Sequence, residues 1–194
     1  MADDRWLVVG LANPDDRYAG TRHNVGAACV ELLADRLGVR PGRHRSGALL
    51  VDTVSPATRT PLTLGRPGGY MNTSGGPTRR AMDFYSLDVS RLVVVHDDLD
   101  LELGVVRLKR GGGSGGHNGL RDVTRACGGP GYVRVRLGVG RPPGRQDPAD
   151  YVLRRFGRRD ADEVALMVER GADAVLAVVD DGLEAAQNRV HAPA

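Results

Sequence analysis

The chain of 194 residues is short of cysteine, of lysine and of long apolar runs. Its two cysteines, Cys29 and Cys127, stand 98 positions apart in no CxxC pairing, so neither a disulfide scaffold nor a cysteine-based zinc site is expected. No apolar stretch approaches the roughly 18 residues of a spanning helix, and no membrane partner is expected. The opening residues, MADDRWLVVG, begin acidic and enter an apolar run at once, which is unlike a secretory signal. Apolar residues make up 41% and charged ones 26%, a balance that argues against wholesale disorder. The expectation is one soluble, cytoplasmic domain over 1–194.

Lysine occurs once, at Lys109; the other basic residues are arginine. Charge is also unevenly spread. Nine basic residues fall between Gly104 and Gln146 against a single acid, Asp122, whereas from Asp147 onward ten acids face six arginines. A basic middle and an acidic tail suggest one surface turned toward a polyanion.

Hydrophobic periodicity predicts alternating strands and helices. Short apolar or alternating runs at 6–11, 48–54, 61–64, 92–95, 105–109 and 132–139 read as strands. Helical spacing predicts helices over 25–37, 78–86, 117–127, 149–156 and 160–182, with a polar, basic loop at 40–47. No internal repeat and no interdomain linker appears. The pattern is that of an α/β fold, in which the turns after 6–11, 92–95 and 105–109 gather polar loops at one sheet edge.

Two short patterns overlap in the glycine run Gly111–Gly119. Gly111-x-Gly113-x-x-Gly116 fits a dinucleotide fingerprint, but the next strand carries Arg134 and Arg136 and lacks the acid such a site needs. Gly112-x-Ser114-x-Gly116 fits the nucleophile elbow of serine hydrolases, whose required downstream histidine could only be His191 in the tail. The histidines show no i, i+4 pair or HExxH, and His96-Asp97-Asp98-Leu99-Asp100 lacks EF-hand spacing, so no metal is expected. His44 and His191 read as surface residues.

A different combination carries more. Separate loops present Asn13, His23 with Asn24, Asn72, and His117 with Asn118, and a strand end presents Asp97. Asparagine amides hold a water and a carbonyl in orientation without titrating. Imidazole is suited to accept the proton of that water, with a carboxylate to orient it. Such parts suit direct hydrolysis of an activated acyl ester.

These residues stand in segments that closely resemble the bacterial-type peptidyl-tRNA hydrolase family. The segments are Gly10-Leu11-Ala12-Asn13-Pro14, Tyr18, Thr21-Arg22-His23-Asn24-Val25-Gly26, Tyr70-Met71-Asn72 and His96-Asp97-Asp98-Leu99-Asp100-Leu101. Lys109 follows, then GGGSGGHNGL, Arg134 with Arg136, and Asp150-Tyr151-Val152-Leu153, in the family's order over nearly the whole chain. The resemblance implies a single α/β domain around a mixed twisted sheet flanked by helices. It implies cleavage of the ester between a peptide and the 3′ end of tRNA, with no cofactor and tRNA as partner, by a monomer. On it, His23 is the general base and Asp97 its orienting carboxylate. Asn13, Tyr18, Tyr70, Met71, Asn72 and Asn118 meet the substrate, and Lys109, His117 and Arg136 meet tRNA phosphate. Asp15 departs from the family's usual glycine, and Gly68-Gly69 from larger residues. Aspartate tolerates the positive φ that a glycine position can demand. The alternatives are a non-catalytic RNA-binding module on the same scaffold and, less favoured, a serine hydrolase using Ser114.

Overall fold

A computed structural model describes residues 4–192. The expected domain limits of 1 and 194 therefore lie outside the described residues. The apolar run Trp6–Gly10 forms strand β1, buried along its whole length. It lies parallel to Pro61–Arg66 (β4) on one side and Leu92–Asp98 (β5) on the other, and β5 is parallel to Val133–Gly138 (β7). Antiparallel strands complete both edges. Leu49–Val54 (β3) pairs with β4, Gly42–Arg43 (β2) with β3, and Val106–Arg110 (β6) with β7. The order is β2-β3-β4-β1-β5-β7-β6, a mixed sheet in a single α/β domain.

Because successive strand residues face opposite ways, the sheet divides its side chains between two cores. Trp6, Val8, Val93, Val95, Val133 and Val135 pack with helices Val25–Arg36 (α1), Ala161–Asp181 (α5) and Leu183–Val190 (α6). Leu7, Val9, Leu92 and Val94 meet Gly75–Phe84 (α2) and Asn118–Ala126 (α3) on the other face. At β6 and β7 the alternation sends Val106, Leu108, Val133, Val135 and Leu137 into the first core. The second face there carries Arg107, Lys109, Arg134 and Arg136 instead.

Several boundaries differ from the periodic pattern. β5 runs on to Asp98 because His96 and Asp97 are themselves buried in the sheet. The last long helix stops at Gly182, whose φ of +81° breaks it, and α6 follows as a separate element. Gln187 and His191 then reach β6: Gln187 Nε2 donates to the Leu108 carbonyl at 3.1 Å, and the Leu108 N–H donates to His191 Nε2 at 2.9 Å. The helix expected over 149–156 is the shorter Pro148–Val152 (α4). Among the described residues no helix is long and apolar enough to cross a membrane.

One expected placement fails. The turn after β6 does not join those after β1 and β5, because β6 is antiparallel to β7 and ends beside Val133, at the opposite edge. The glycine run must therefore travel back along β7 before α3 can start at the end of the sheet where β5 finishes.

Candidate active site

His23 sits in the short 3-10 turn Arg22–Asn24 that leads into α1. Gly26, in the helix's first turn, lies against β5: a Cβ there would come within 2.2 Å of the Val95 carbonyl oxygen. Only glycine lets the helix approach so closely, and that approach sets His23 beside the buried end of β5. His23 Nδ1 lies 2.9 and 3.0 Å from the two oxygens of Asp97. From the other face of the sheet, His117 Nε2 lies 2.8 Å from Asp97 Oδ1.

The protons of this triad follow from its neighbours. His117 Nδ1 accepts the backbone N–H groups of Gly119 at 3.1 Å and Leu120 at 3.3 Å, capping α3. A neutral ring nitrogen that accepts carries no proton, so Nε2 carries it and donates to Asp97. Burial alone would raise the Asp97 pKa, but the two imidazoles facing it outweigh burial and hold its carboxyl well below the ordinary carboxylate range. His96, also buried, donates from Nδ1 to the backbone carbonyl of Asp97 at 2.7 Å. Its burial, and then the neighbouring His117, push its pKa down to about 3.

His23, Asp97 and His117 each offer one ligand atom within 4.8 Å of the others, a donor set a transition metal could use. The tautomer of His117 opposes this. With two backbone N–H groups on Nδ1, the nitrogen facing Asp97 presents a proton and no lone pair, so the residues do not fit a cation.

Around the triad opens a cleft of about 1060 Å³ lined by Asn13, Tyr70, Met71, Asn72, Asn118, Lys109 and Arg136. Asn13 is held on three sides. Its N–H donates to Asn24 Oδ1 at 2.9 Å, its carbonyl accepts from Asn24 Nδ2 at 3.0 Å, and its Oδ1 accepts the Met71 N–H at 2.9 Å. With Oδ1 so occupied, its amide nitrogen is the group left for a ligand. Tyr70 is half exposed and donates its hydroxyl to Asp15 at 3.1 Å. Asp15 itself has φ of −78°, so no positive φ is required of it.

Two predicted site residues are placed differently. Tyr18 does not line the cleft; it lies in the 3-10 turn Asp16–Tyr18 with the Arg17 guanidinium 4.8 Å from its ring centre. His117 has a side chain only 8% exposed and both ring nitrogens engaged, so it faces Asp97 and has no donor left for a phosphate. The serine-hydrolase pattern also finds no support. His191 is bonded to β6, and no histidine hydrogen-bonds the Ser114 hydroxyl among the described residues.

Sequence reasoning missed two arginines. Arg22 Nη1 donates to the carbonyls of Tyr151, Arg154 and Arg155 at 3.5, 3.2 and 3.1 Å, and its guanidinium lies 4.0 Å from the Tyr151 ring centre. It thereby ties the turn carrying His23 to α4, which forms one wall of the cleft. Arg134 carries no site role in the sequence reading, yet it is buried beneath the glycine run. Nothing in the local sequence of either arginine announces its partners, which are backbone carbonyls far along the chain.

Comparison with known proteins points to one family. A family profile described as peptidyl-tRNA hydrolase matches residues 7–194. The chain is 54% identical over 190 residues to a peptidyl-tRNA hydrolase of Frankia casuarinae, covering 98% of this chain and 95% of that one. It is 50% identical over 196 residues to one of Kineococcus radiotolerans, covering 98% and 99%. Among solved structures, peptidyl-tRNA hydrolase from Acinetobacter baumannii superposes with a TM-score of 0.90 at 32% identity, over 99% of this chain and 97% of that one.

Proposed function

The chain belongs to the peptidyl-tRNA hydrolase family and is an ester hydrolase acting on peptidyl-tRNA; from that premise we propose that His23 is its general base and Asp97 the residue that orients it. The observation that carries the reading is the two-oxygen contact of Asp97 with His23 Nδ1. Donation from Nδ1 leaves Nε2 as the nitrogen with a lone pair, and His23 lines the cleft. A water oriented by the amides of Asn72 and Asn118 attacks the ester carbonyl carbon while His23 Nε2 takes its proton. The bond from that carbon to the ribose 3′ oxygen breaks, and the imidazolium returns the proton to this oxygen. A peptide carboxylic acid, which gives its remaining proton to solvent, and a free 3′ hydroxyl result.

Asp97 carries the negative charge that steadies the imidazolium, and His117 keeps Asp97 deprotonated and in place by donating to its Oδ1. Asn13, Tyr70 and Met71 meet the peptide and the acceptor end, and the cationic face of β6 and β7 meets the phosphates of tRNA. A cytoplasmic monomer is the working form this reading takes. A binding module with no catalysis would have no use for a base and carboxylate so aligned. The test is release of deacylated tRNA from N-acetyl-aminoacyl-tRNA, set against the unblocked form, for wild type and His23→Ala. Positioned acid–base catalysis is worth about 10²–10⁴-fold, so the variant should lose turnover on that scale while still binding tRNA. Near-normal turnover would refute the assignment.

A further inference from the structure

The two asparagines given the task of orienting water, Asn72 and Asn118, stand exposed in the cleft, and neither side-chain amide is hydrogen-bonded among the described residues. Their aim therefore depends on the backbone that carries them. Asn72 sits in the 3-10 turn Met71–Thr73, and Asn118 is the first residue of α3. The spacing of the two amides is thus set by how that turn packs on α3.

Two glycines bring the pieces together. A Cβ on Gly119 would lie 2.7 Å from Met71 Sδ, and one on Gly75 would lie 2.3 Å from the Asp122 carbonyl oxygen. The segment bearing Asn72 is pressed against α3 before and after that residue. Apolar packing is non-directional, whereas a hydrogen bond fixes register. Here it is the Gly75 N–H, which donates to Asp122 Oδ2 at 2.7 Å.

Gly75 opens α2, and its N–H is one of the four that a helix leaves without an internal acceptor. Ser74, in the capping position, does not supply one, because its hydroxyl donates to the Met71 carbonyl at 2.7 Å. The cap comes instead from within α3, 47 positions along the chain. Asp122 is buried there, and the dipole of α2 favours a carboxylate at that end. Its Oδ1 is taken by Arg125 of the same helix, whose side chain is largely exposed. Asn72 is therefore held between two side-chain acceptors, Asn13 on the Met71 N–H and Asp122 on the Gly75 N–H. Of these two, Asp122 belongs to the helix that carries Asn118.

We propose that Asp122 is a positioning residue for the hydrolysis: by capping α2 from α3 it fixes Asn72 relative to Asn118 and so sets the place of the attacking water. Its carboxylate touches neither the water nor the ester. The inference rests on the reading in which these two amides orient the water. Rate depends steeply on such placement, and a displacement of about 1 Å can cost about 10²-fold. The groups that meet tRNA phosphate lie elsewhere, so the effect falls on kcat and spares KM.

The test is steady-state kinetics on N-acetyl-aminoacyl-tRNA for Asp122→Asn, Asp122→Glu and Asp122→Ala, each well below its own Tm. Asparagine keeps an oxygen at the same reach for the Gly75 N–H. Glutamate keeps the charge but is one methylene longer, and with Gly75 already against the α3 backbone it displaces the turn. Asp122→Asn should hold kcat within about threefold. Asp122→Glu and Asp122→Ala should lower it by about tenfold to a hundredfold, with KM within about threefold. A residue that served stability alone would lower Tm and leave kcat unchanged, and one acting through its charge would rank glutamate above asparagine. Either pattern would overturn the proposal, and the asparagine–glutamate comparison decides even if Asp122→Ala does not fold.

Combination with Asn72→Ala separates the proposal from the reading beneath it. Since Asp122 acts through Asn72, adding Asp122→Glu to Asn72→Ala should change kcat by less than about twofold. An undiminished loss in that background would overturn the positioning role alone. Full turnover in both Asn72→Ala and Asn118→Ala would instead defeat the water-orienting reading, and the proposal with it.

Discussion

Asp97 receives His23 Nδ1 across both of its carboxylate oxygens, at 2.9 and 3.0 Å, from a position buried at the end of a central strand. Asparagine at 97 keeps the shape but loses the charge, and its amide nitrogen competes to present N–H groups toward the two imidazoles. Asp97→Asn should lower kcat by about 10²–10⁴-fold and leave KM for N-acetyl-aminoacyl-tRNA within about threefold. Single-turnover rates on saturating substrate check this; a KM effect alone would place Asp97 in binding.

Acid should destabilise the fold through His96 before it does so through Asp97. The folded pKa of His96, about 3, lies below the ordinary 6.5. Between these values the unfolded chain binds a proton that the folded one refuses. Its contribution is therefore complete above about pH 6.5 and drains away toward pH 3, at no more than about 1.4 kcal/mol per pH unit. Asp97, held below its ordinary 3.8, contributes fully above that value and loses its share only at lower pH. Denaturant titrations between about pH 7 and pH 4 should show stability falling with pH, and His96→Asn should flatten that fall. An equally steep fall in the variant would assign the protons to other groups.

Arg22 should matter to catalysis without touching substrate. Its three carbonyl contacts and its stacking on Tyr151 hold the far wall of the cleft to the turn that bears His23. Arg22→Lys preserves one charge and loses the planar stack and the branched donors. A rise in KM of about threefold to tenfold is expected, together with faster amide exchange over 148–155. Unchanged exchange there would mean that the wall stands without it.

Gly26→Ala should be among the costlier single methyl additions in the molecule. The new Cβ would lie 2.2 Å from the Val95 carbonyl oxygen, and both partners are backbone. Overpacking of this kind costs about 1–3 kcal/mol, and relief requires α1 to back away and take His23 with it. Stability and kcat should fall together. A variant that loses stability alone, with full turnover, would show that His23 keeps its place independently of the helix.

Much of the scaffold was readable because apolar runs and alternation directly report burial. The strand at 132–139 and the helix ending near Leu37 fall close to their observed limits. What could not be read is whatever depends on strand direction. Nothing in the alternation of 105–109 says that it lies antiparallel to its neighbour, and that single fact starts the glycine run at the opposite edge of the sheet. The same holds for His117, to which the family resemblance gave a phosphate and whose place beside Asp97 depends on how that run climbs. His23 and Asp97 were legible as chemistry through the family resemblance, while their mutual contact is a product of Gly26 and the sheet.

The outermost strand has a further consequence, unconnected with turnover. β6 ends the sheet, and the backbone amide and carbonyl of Leu108 are taken by His191 and Gln187 at the chain's C-terminal end. Cut back before Gln187, the protein would keep its cleft but bare those groups, a ready template for another chain to add a strand. The last helical turn thus guards against self-association, and a shortened enzyme should first betray its loss as turbidity.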